Sequence, residues 1–429
     1  LWSVVALAGK KGKVLVKRSD NLAANGGKPV WTKPWRTGPY HFPSDVAAIG
    51  RVLSGPALPL ARGRSVMAYR EALQDLYGVK HAVPTSSGTT ALHAALFAVG
   101  VGAGDEVILS PLTDYGSVIG IFQLNAIPVF ADVLPGGILM DPASVEARIT
   151  PHTKAIMPIH LGGYMVDMLA VMKIARKHRL AVVEDCAQSH LARIGKRFSG
   201  TFGEVGAWST NESKHMRSGE GGFLLTNRKS LGETADLFVD KCYHRVKGSP
   251  ATPAFPALNV RLSDLNAALA LAQLKRLPGW IEKRQAFADR FLSKIAGAKG
   301  IAPYPQPRGS RPSHWWTLFT FQEGVLGVDT LEFSRLVRME GIPVSPVNQP
   351  MVLEWEVFRK LHADPDVFPT YRPGRLKKGS YSPDGYPNAL AARSCVLALS
   401  TNQHNTLAEA EAAARAVRKV VGALLREQD

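Results

Sequence analysis

The stretch Trp208-Ser-Thr-Asn-Glu-Ser-Lys214-His-Met-Arg-Ser-Gly-Glu-Gly-Gly222 decides how this chain is read. A lysine between a strand end and a Gly-Glu-Gly-Gly turn sits where backbone can pass close to a bound group, and its amine suits Schiff-base chemistry. Working outward, Leu180-Ala-Val-Val-Glu-Asp185-Cys-Ala-Gln188 reads as a β-branched strand ending in a carboxylate. Earlier still, Thr85-Ser-Ser-Gly-Thr-Thr-Ala-Leu92 opens a helix with small hydroxyl residues, the form of a phosphate-binding helix N-terminus. Amine, carboxylate and phosphate cradle are the three handles that pyridoxal 5′-phosphate (PLP) needs. Each also has a plainer reading: a solvated loop lysine, a structural ion pair, and an ordinary Ser/Thr helix cap.

The 429 residues suffice for two domains and a large core, and 45% hydrophobic with 20% charged residues is a globular balance. Three cysteines, Cys186, Cys242 and Cys395, lack CxxC spacing, which argues against a disulfide framework or a Cys-rich zinc site and fits a cytoplasmic protein. The net charge of +17 is read as a solvated basic surface or as attraction for an anionic small substrate. The clusters Lys10, Lys11, Lys13, Lys17, Arg18 and Arg372, Arg375, Lys377, Lys378 carry neither interleaved aromatics nor a nucleic-acid-reading motif, so no nucleic-acid partner is expected. No run reaches transmembrane length, and the apolar stretch 1–9 precedes its basic residues, unlike a secretory leader.

From about 45 to 276 strands and helices alternate, the pattern of a mostly parallel sheet. Helices are expected at 66–77, 89–99 and 168–178, and strands at 81–84, 106–111, 127–132, 154–160 and 180–185. Strands 206–209 and 222–226 flank Lys214 like a hairpin. Ser263 caps an Ala/Leu-rich helix to 277, broken at Pro278-Gly279 and resumed over 280–296. Beyond about 300 Pro and Gly rise, with a strand at 314–321 and helices at 330–340 and 407–426. The expected organisation is an arm over 1–43, a large α/β domain over 44–277 and a smaller α+β domain over 278–429.

In order and spacing these motifs resemble the DegT/DnrJ/StrS sugar aminotransferases, fold-type I PLP enzymes, from about Leu22 to the C-terminal helix. The resemblance implies a seven-stranded, mainly parallel sheet with a smaller C-terminal domain. It makes Lys214 the catalytic Schiff-base lysine and Asp185 the partner of the pyridinium nitrogen. Gln188 falls at the position that contacts the ring hydroxyl, and Gly88, Thr89 and Thr90 at the phosphate turn. Ser209 is similar to a further phosphate donor. Tyr115 matches the aromatic that stacks on the ring, with a core tyrosine as its competitor. Asn259 matches a residue sent across a homodimer interface to the neighbour's cofactor phosphate, with Arg261 bracing its loop. His160, Asp167 and Glu184 are read as structural. His190, His215, His244 and His314 are expected near the cleft without metal-like pairing.

The chain departs from the family at Thr210-Asn211, where an aromatic and His are common, and at Arg217, where Thr is more usual. Both neighbour the expected sugar site. Relatives that dehydrate sugars carry His at the Lys214 position, so retained lysine disfavours that branch. What the resemblance implies is ping-pong transfer of an amino group from L-glutamate or L-glutamine to a keto-sugar, nucleotide-linked by expectation, in secondary-metabolite, antibiotic or surface-polysaccharide synthesis. The alternatives are a keto-cyclitol or aminohydroxybenzoate precursor as acceptor, or a non-catalytic PLP-binding sensor, although the arm shows no helix-turn-helix pattern.

Overall fold

A computed structural model describes residues 21–56, 58, 62–245, 252–347, 350–368, 371 and 374–426. The basic cluster between Lys10 and Arg18 and Arg372 of the later one lie outside the described residues.

Seven strands form the main sheet: β1 (His81–Thr85), β2 (Glu106–Leu109), β3 (Ile127–Phe130), β4 (Thr153–Met157), β5 (Ala181–Asp185) and, after the short pair β6 (Arg193–Ile194) and β7 (Arg197–Phe198), β8 (Val205–Ser209) and β9 (Gly222–Thr226). Their order is β1-β9-β8-β5-β4-β2-β3, and β9 alone runs against the rest. Strands buried on both faces need no polar alternation, which is why Val182-Val183 and Gly222-Phe-Leu-Leu-Thr226 read as continuous apolar runs. The pairing of Ser209 with Gly222 makes β8 and β9 a hairpin with Lys214 in its loop.

Helix α1 (Pro43–Leu53) and α2 (Arg64–Tyr77) precede β1, and α3 (Gly88–Ala98) follows it, capped by the Ser87 hydroxyl on Thr90 N–H. The small residues of α3 let α4 (Gly116–Gln123) approach so closely that a Cβ on Gly120 would lie 2.9 Å from His93 Cα. After α5 (Pro142–Ala147), α6 (Met168–His178) is capped by Asp167, and α7 (Lys229–Val239) follows β9. Ser263 caps α8 (Asp264–Leu274) as expected, yet α9 (Leu277–Ile295) begins before Pro278. The break therefore falls at Lys275-Arg276. Proline in a first turn loses no intrahelical bond, so Pro278-Gly279 opens α9 instead of separating two helices.

The later chain adds β10 (Ile301–Pro303), β11 (Ser310–Arg311), β12 (Trp316–Phe321), β13 (Val344–Pro346) and β14 (Val396–Ser400). Four of them form an antiparallel sheet, β10-β12-β14-β13, while β11 joins β6 and β7. Helix Leu407–Arg426 packs on α9 over a core containing Phe291, Phe319 and Val420. The arm docks there: Leu22 enters this core, and the buried carboxylate of Glu340 accepts the N–H groups of Ala23 and Val30. Tyr371 and Tyr381 donate to the Ala126 and Pro128 carbonyls, which covers the outer edge beside β3. Among the described residues no helix is long and apolar enough to cross a membrane.

Candidate active site

The turn after β1 meets the end of β8 at backbone contact. A Cβ on Gly88 would lie 2.6 Å from Ser209 Cβ, and one on Gly222 would lie 2.4 Å from Ser87 O and 2.6 Å from Gly88 N. Only glycine fits at both places. Thr90 spends its hydroxyl closing the turn, accepting Ser87 N–H at 3.0 Å and donating to Ser87 O at 2.9 Å. The Ser87 hydroxyl takes Thr90 N–H, leaving the N–H groups of Gly88 and Thr89 without a partner among the described residues. Thr89 Oγ1 faces the next loop, 2.8 Å from where a Cβ on Gly116 would stand. Ser209 Oγ accepts Asn211 N–H at 3.2 Å.

Asp185 ends β5 at 4% exposure. Its Oδ2 accepts the Ser117 hydroxyl at 2.7 Å and its Oδ1 the Ala187 N–H at 3.0 Å, and Ser117 itself bonds Thr113 at 2.7 Å. No lysine, arginine or histidine among the described residues forms an ion pair with this carboxylate. Burial raises its pKa, opposed by these two hydrogen bonds and by Lys214, while Asp114 adds to the rise. A buried anion lacking a cation is costly unless something positive joins it. Lys214 shows the complement: burial lowers its pKa, opposed by Asp114 and Asp185. Its Nζ lies 4.8 Å from the ring centre of Trp315, and Arg217 Nε donates to its carbonyl at 3.2 Å.

Around this pair Gln188 Oε1 accepts Gly162 N–H at 2.7 Å, so its amide group is fixed. Tyr115 is half-buried beside Trp355, ring centres 5.6 Å apart. Glu184, fully buried on the opposite face of β5 from Asp185, accepts the N–H groups of Gly200, Phe202 and Gly203 and pairs with His160 Nε2 at 3.1 Å. His160 Nδ1 accepts Val166 N–H, which assigns its proton to Nε2. Glu184, His160 and Cys186 come within metal-ligand reach of one another, but the carboxylate is already saturated by backbone donors.

The rings of His190 and His215 lie tilted at 54° with centres 5.5 Å apart, both within the field of Lys214 and held neutral chiefly by burial. His314 donates to or accepts from Tyr164 OH at 3.2 Å. His244 is exposed and lines a separate cavity of about 590 Å³ with Arg245, Arg261 and Asp240. There Asp240 takes both arginines, and Arg261 is thereby a brace. Asn259 is exposed and pairs with Asp240 through its backbone, while the next carbonyl, Val260 O, accepts Ser86 N–H at 2.8 Å. That places Asn259 at the rim of the turn after β1.

Sequence reading did not single out Asp114, Ser117 or Trp315. Asp114 and Ser117 flank Tyr115 closely in the chain, yet nothing local says that Ser117 meets a strand 68 residues away. Concavity marks the site no better. A basic depression of about 600 Å³ lies elsewhere, between Lys28 and Arg418, Lys419 and Arg426.

The residues present fit PLP. An unpaired buried carboxylate suits its ring nitrogen, a buried amine its aldehyde, and free N–H groups at a helix start its phosphate. Comparison with known proteins points the same way. An L-glutamine:2-deoxy-scyllo-inosose aminotransferase of Micromonospora echinospora is 35% identical over 357 residues, 77% of this chain and 82% of its own. The GDP-perosamine synthase of Caulobacter vibrioides is 34% identical over 299 residues, 67% of this chain and 77% of its own. The X-ray structure of an aminotransferase from Psychrobacter cryohalolentis superposes with a TM-score of 0.78 at 27% identity, covering 91% of this chain and 99% of the other. The pattern of the DegT/DnrJ/EryC1/StrS aminotransferase family matches residues 45–367, and the chain belongs to this family of PLP-dependent transaminases.

Proposed function

We propose that the enzyme moves an amino group from L-glutamate or L-glutamine to a keto-sugar, by a ping-pong mechanism, within a homodimer whose two sites are shared. The observation that carries this reading is the pairing of a buried, cation-free Asp185 with a buried Lys214 in its field. When bound, PLP supplies an electron sink and carries the amino group between the two half-reactions. Asp185 would keep the ring nitrogen protonated, braced by Ser117 and the Ala187 N–H. Lys214 would hold the cofactor covalently through Nζ and, once displaced, take and return a proton at that atom. Its lowered pKa favours the neutral amine that both tasks need. Gly88 and Thr89 N–H groups would hold the phosphate, with Thr89 and Ser209 hydroxyls beside them.

The net charge of +17 supports a nucleotide-linked acceptor, as does the relative named for GDP-perosamine. A keto-cyclitol is the second reading, favoured by the 35%-identical relative whose name specifies both such an acceptor and glutamine.

Two measurements test the proposal. Borohydride should fix PLP to Lys214 in the purified protein, located by peptide mass spectrometry, and Lys214→Ala should lose turnover. A screen of donors and keto acceptors should then find a pair that cycles the cofactor's absorbance. A Lys214→Ala enzyme with a normal rate ends this reading.

A further inference from the structure

One side chain reaches the Lys214 amine from outside the lysine loop. Trp315, at the entry to β12, presents its ring face to Lys214 Nζ at 4.8 Å and donates its Nε1–H to Ser213 O at 2.9 Å. Its placement is over-determined. His314 before it holds a left-handed backbone, φ 49°, which a residue with a Cβ rarely adopts without a reason. Arg284 grips the His314 carbonyl at 3.0 Å, and His215 Nε2 bonds Ser313 O at 3.3 Å. Gly163 leaves room for the segment, since a Cβ there would lie 2.7 Å from Ser313 Oγ and 2.8 Å from Trp315 N.

We propose that Trp315 is a positioning residue for Lys214, its indole face holding the lysine ammonium between proton transfers while its Nε1–H locks the lysine loop to the start of β12. This rests on Lys214 being the lysine of the chemistry. An aromatic face suits that task better than a carboxylate would. It attracts the cation through the ring quadrupole, yet offers no acceptor lone pair that would hold a proton, so the neutral amine is released freely. Trp316, packed on Trp315 with ring centres 4.5 Å apart, keeps the platform from turning. The plainer alternative is that Trp315 only fills space between the loop and β12.

The two roles differ in what they do to the lysine's titration. The groups facing Lys214 are Asp114 and Asp185, which favour its charged form, and the neutral rings of His190 and His215. Arg217 touches the lysine carbonyl, and Arg284 lies behind His314. Removing the ring takes away one further attraction for the ammonium, so the pKa of Lys214 must fall. A space-filling role predicts no fall, and admitted water would raise it.

The test uses the holoenzyme loaded in its pyridoxamine form, where the Lys214 amine is free. Trace labelling with acetic anhydride across pH, quantified on the Lys214 peptide, gives its apparent pKa. Trp315→Leu should lower it by about half to one and a half pH units, and Trp315→Phe, which keeps a ring, by less than half of that. Trp315→Met serves as a second ringless variant should the leucine protein fail to fold. Hydrogen exchange adds an independent reading: Trp315→Phe lacks the Nε1 donor and should exchange faster over 213–216. An unchanged or raised pKa in the ringless variants, or an equal fall in the phenylalanine variant, overturns the proposal. If borohydride fails to fix PLP at Lys214 in the unsubstituted enzyme, the reading of the lysine is what fails.

Discussion

Ser117 Oγ donates a 2.7 Å hydrogen bond to Oδ2 of Asp185, joining the first turn of α4 to the end of β5. Burial pushes the Asp185 carboxyl upward and this bond pulls it back, so the hydroxyl helps keep the acid ionised for a cationic partner. Ser117→Ala is expected to lower kcat about tenfold, the scale of one hydrogen bond to a charged group. Asp185→Asn removes the charge itself, and kcat should fall at least ~10²-fold. Steady-state kinetics on both variants checks the order. Wild-type kcat in Asp185→Asn would make this residue structural.

Glu184, one residue earlier, should behave in the opposite way. Its carboxylate satisfies three backbone N–H groups and His160 at zero exposure. Glu184→Ala strands those donors and should cost about 3–5 kcal/mol of stability. Urea unfolding measures it. Residual folded enzyme should still bind cofactor, which separates this residue from Asp185.

Asn259 stands at the rim of the turn after β1 and is exposed, as the proposed service to a second subunit requires. Heterodimers of Lys214→Ala and Asn259→Ala subunits then have one doubly damaged site and one intact site. They should recover up to half of normal activity per dimer, although both parent proteins are impaired. If Asn259 serves its own subunit, each site carries one lesion and activity stays low. Mixing under verified subunit exchange decides between them.

Acid should destabilise the fold through buried imidazoles. Burial lowers His190 from the ordinary 6.5 to about 3, helped by Lys214 and Arg284, and burial likewise lowers His314 to about 3. Between those values the unfolded chain binds protons that the native chain refuses. Stability therefore rises with pH across the window and is lost as pH falls from about 6.5 toward 3. Each such histidine contributes a slope of about 1.4 kcal/mol per pH unit. His190→Phe should flatten the pH dependence of the unfolding free energy by one such share, read from denaturant curves between about pH 4 and 6. An identical slope would show that His190 is not held neutral.

What the sequence determined by itself is whatever neighbouring residues enforce. Val182-Val183 before Asp185, Ser87 before the small-residue helix α3, and Ser263 before α8 each carry their strand or cap within a few positions. Lys214 and its Gly-rich turn were legible for the same reason, as was the hairpin around them. The break between α8 and α9 was misplaced by a few residues because Pro278 marks either a stop or a first turn, and only the helix that forms tells which. Tertiary structure alone decided the rest. The sheet order inserts β9 and β8 between β1 and β5, and this brings Gly88 against Ser209 and Gly222. It also decided that Ser117 meets Asp185 across 68 residues and Trp315 meets the lysine loop across 102. Such contacts leave no local trace, because a hydroxyl or an indole is acceptable in many surroundings and its partner is chosen by the packing of strands and helices far apart in the chain.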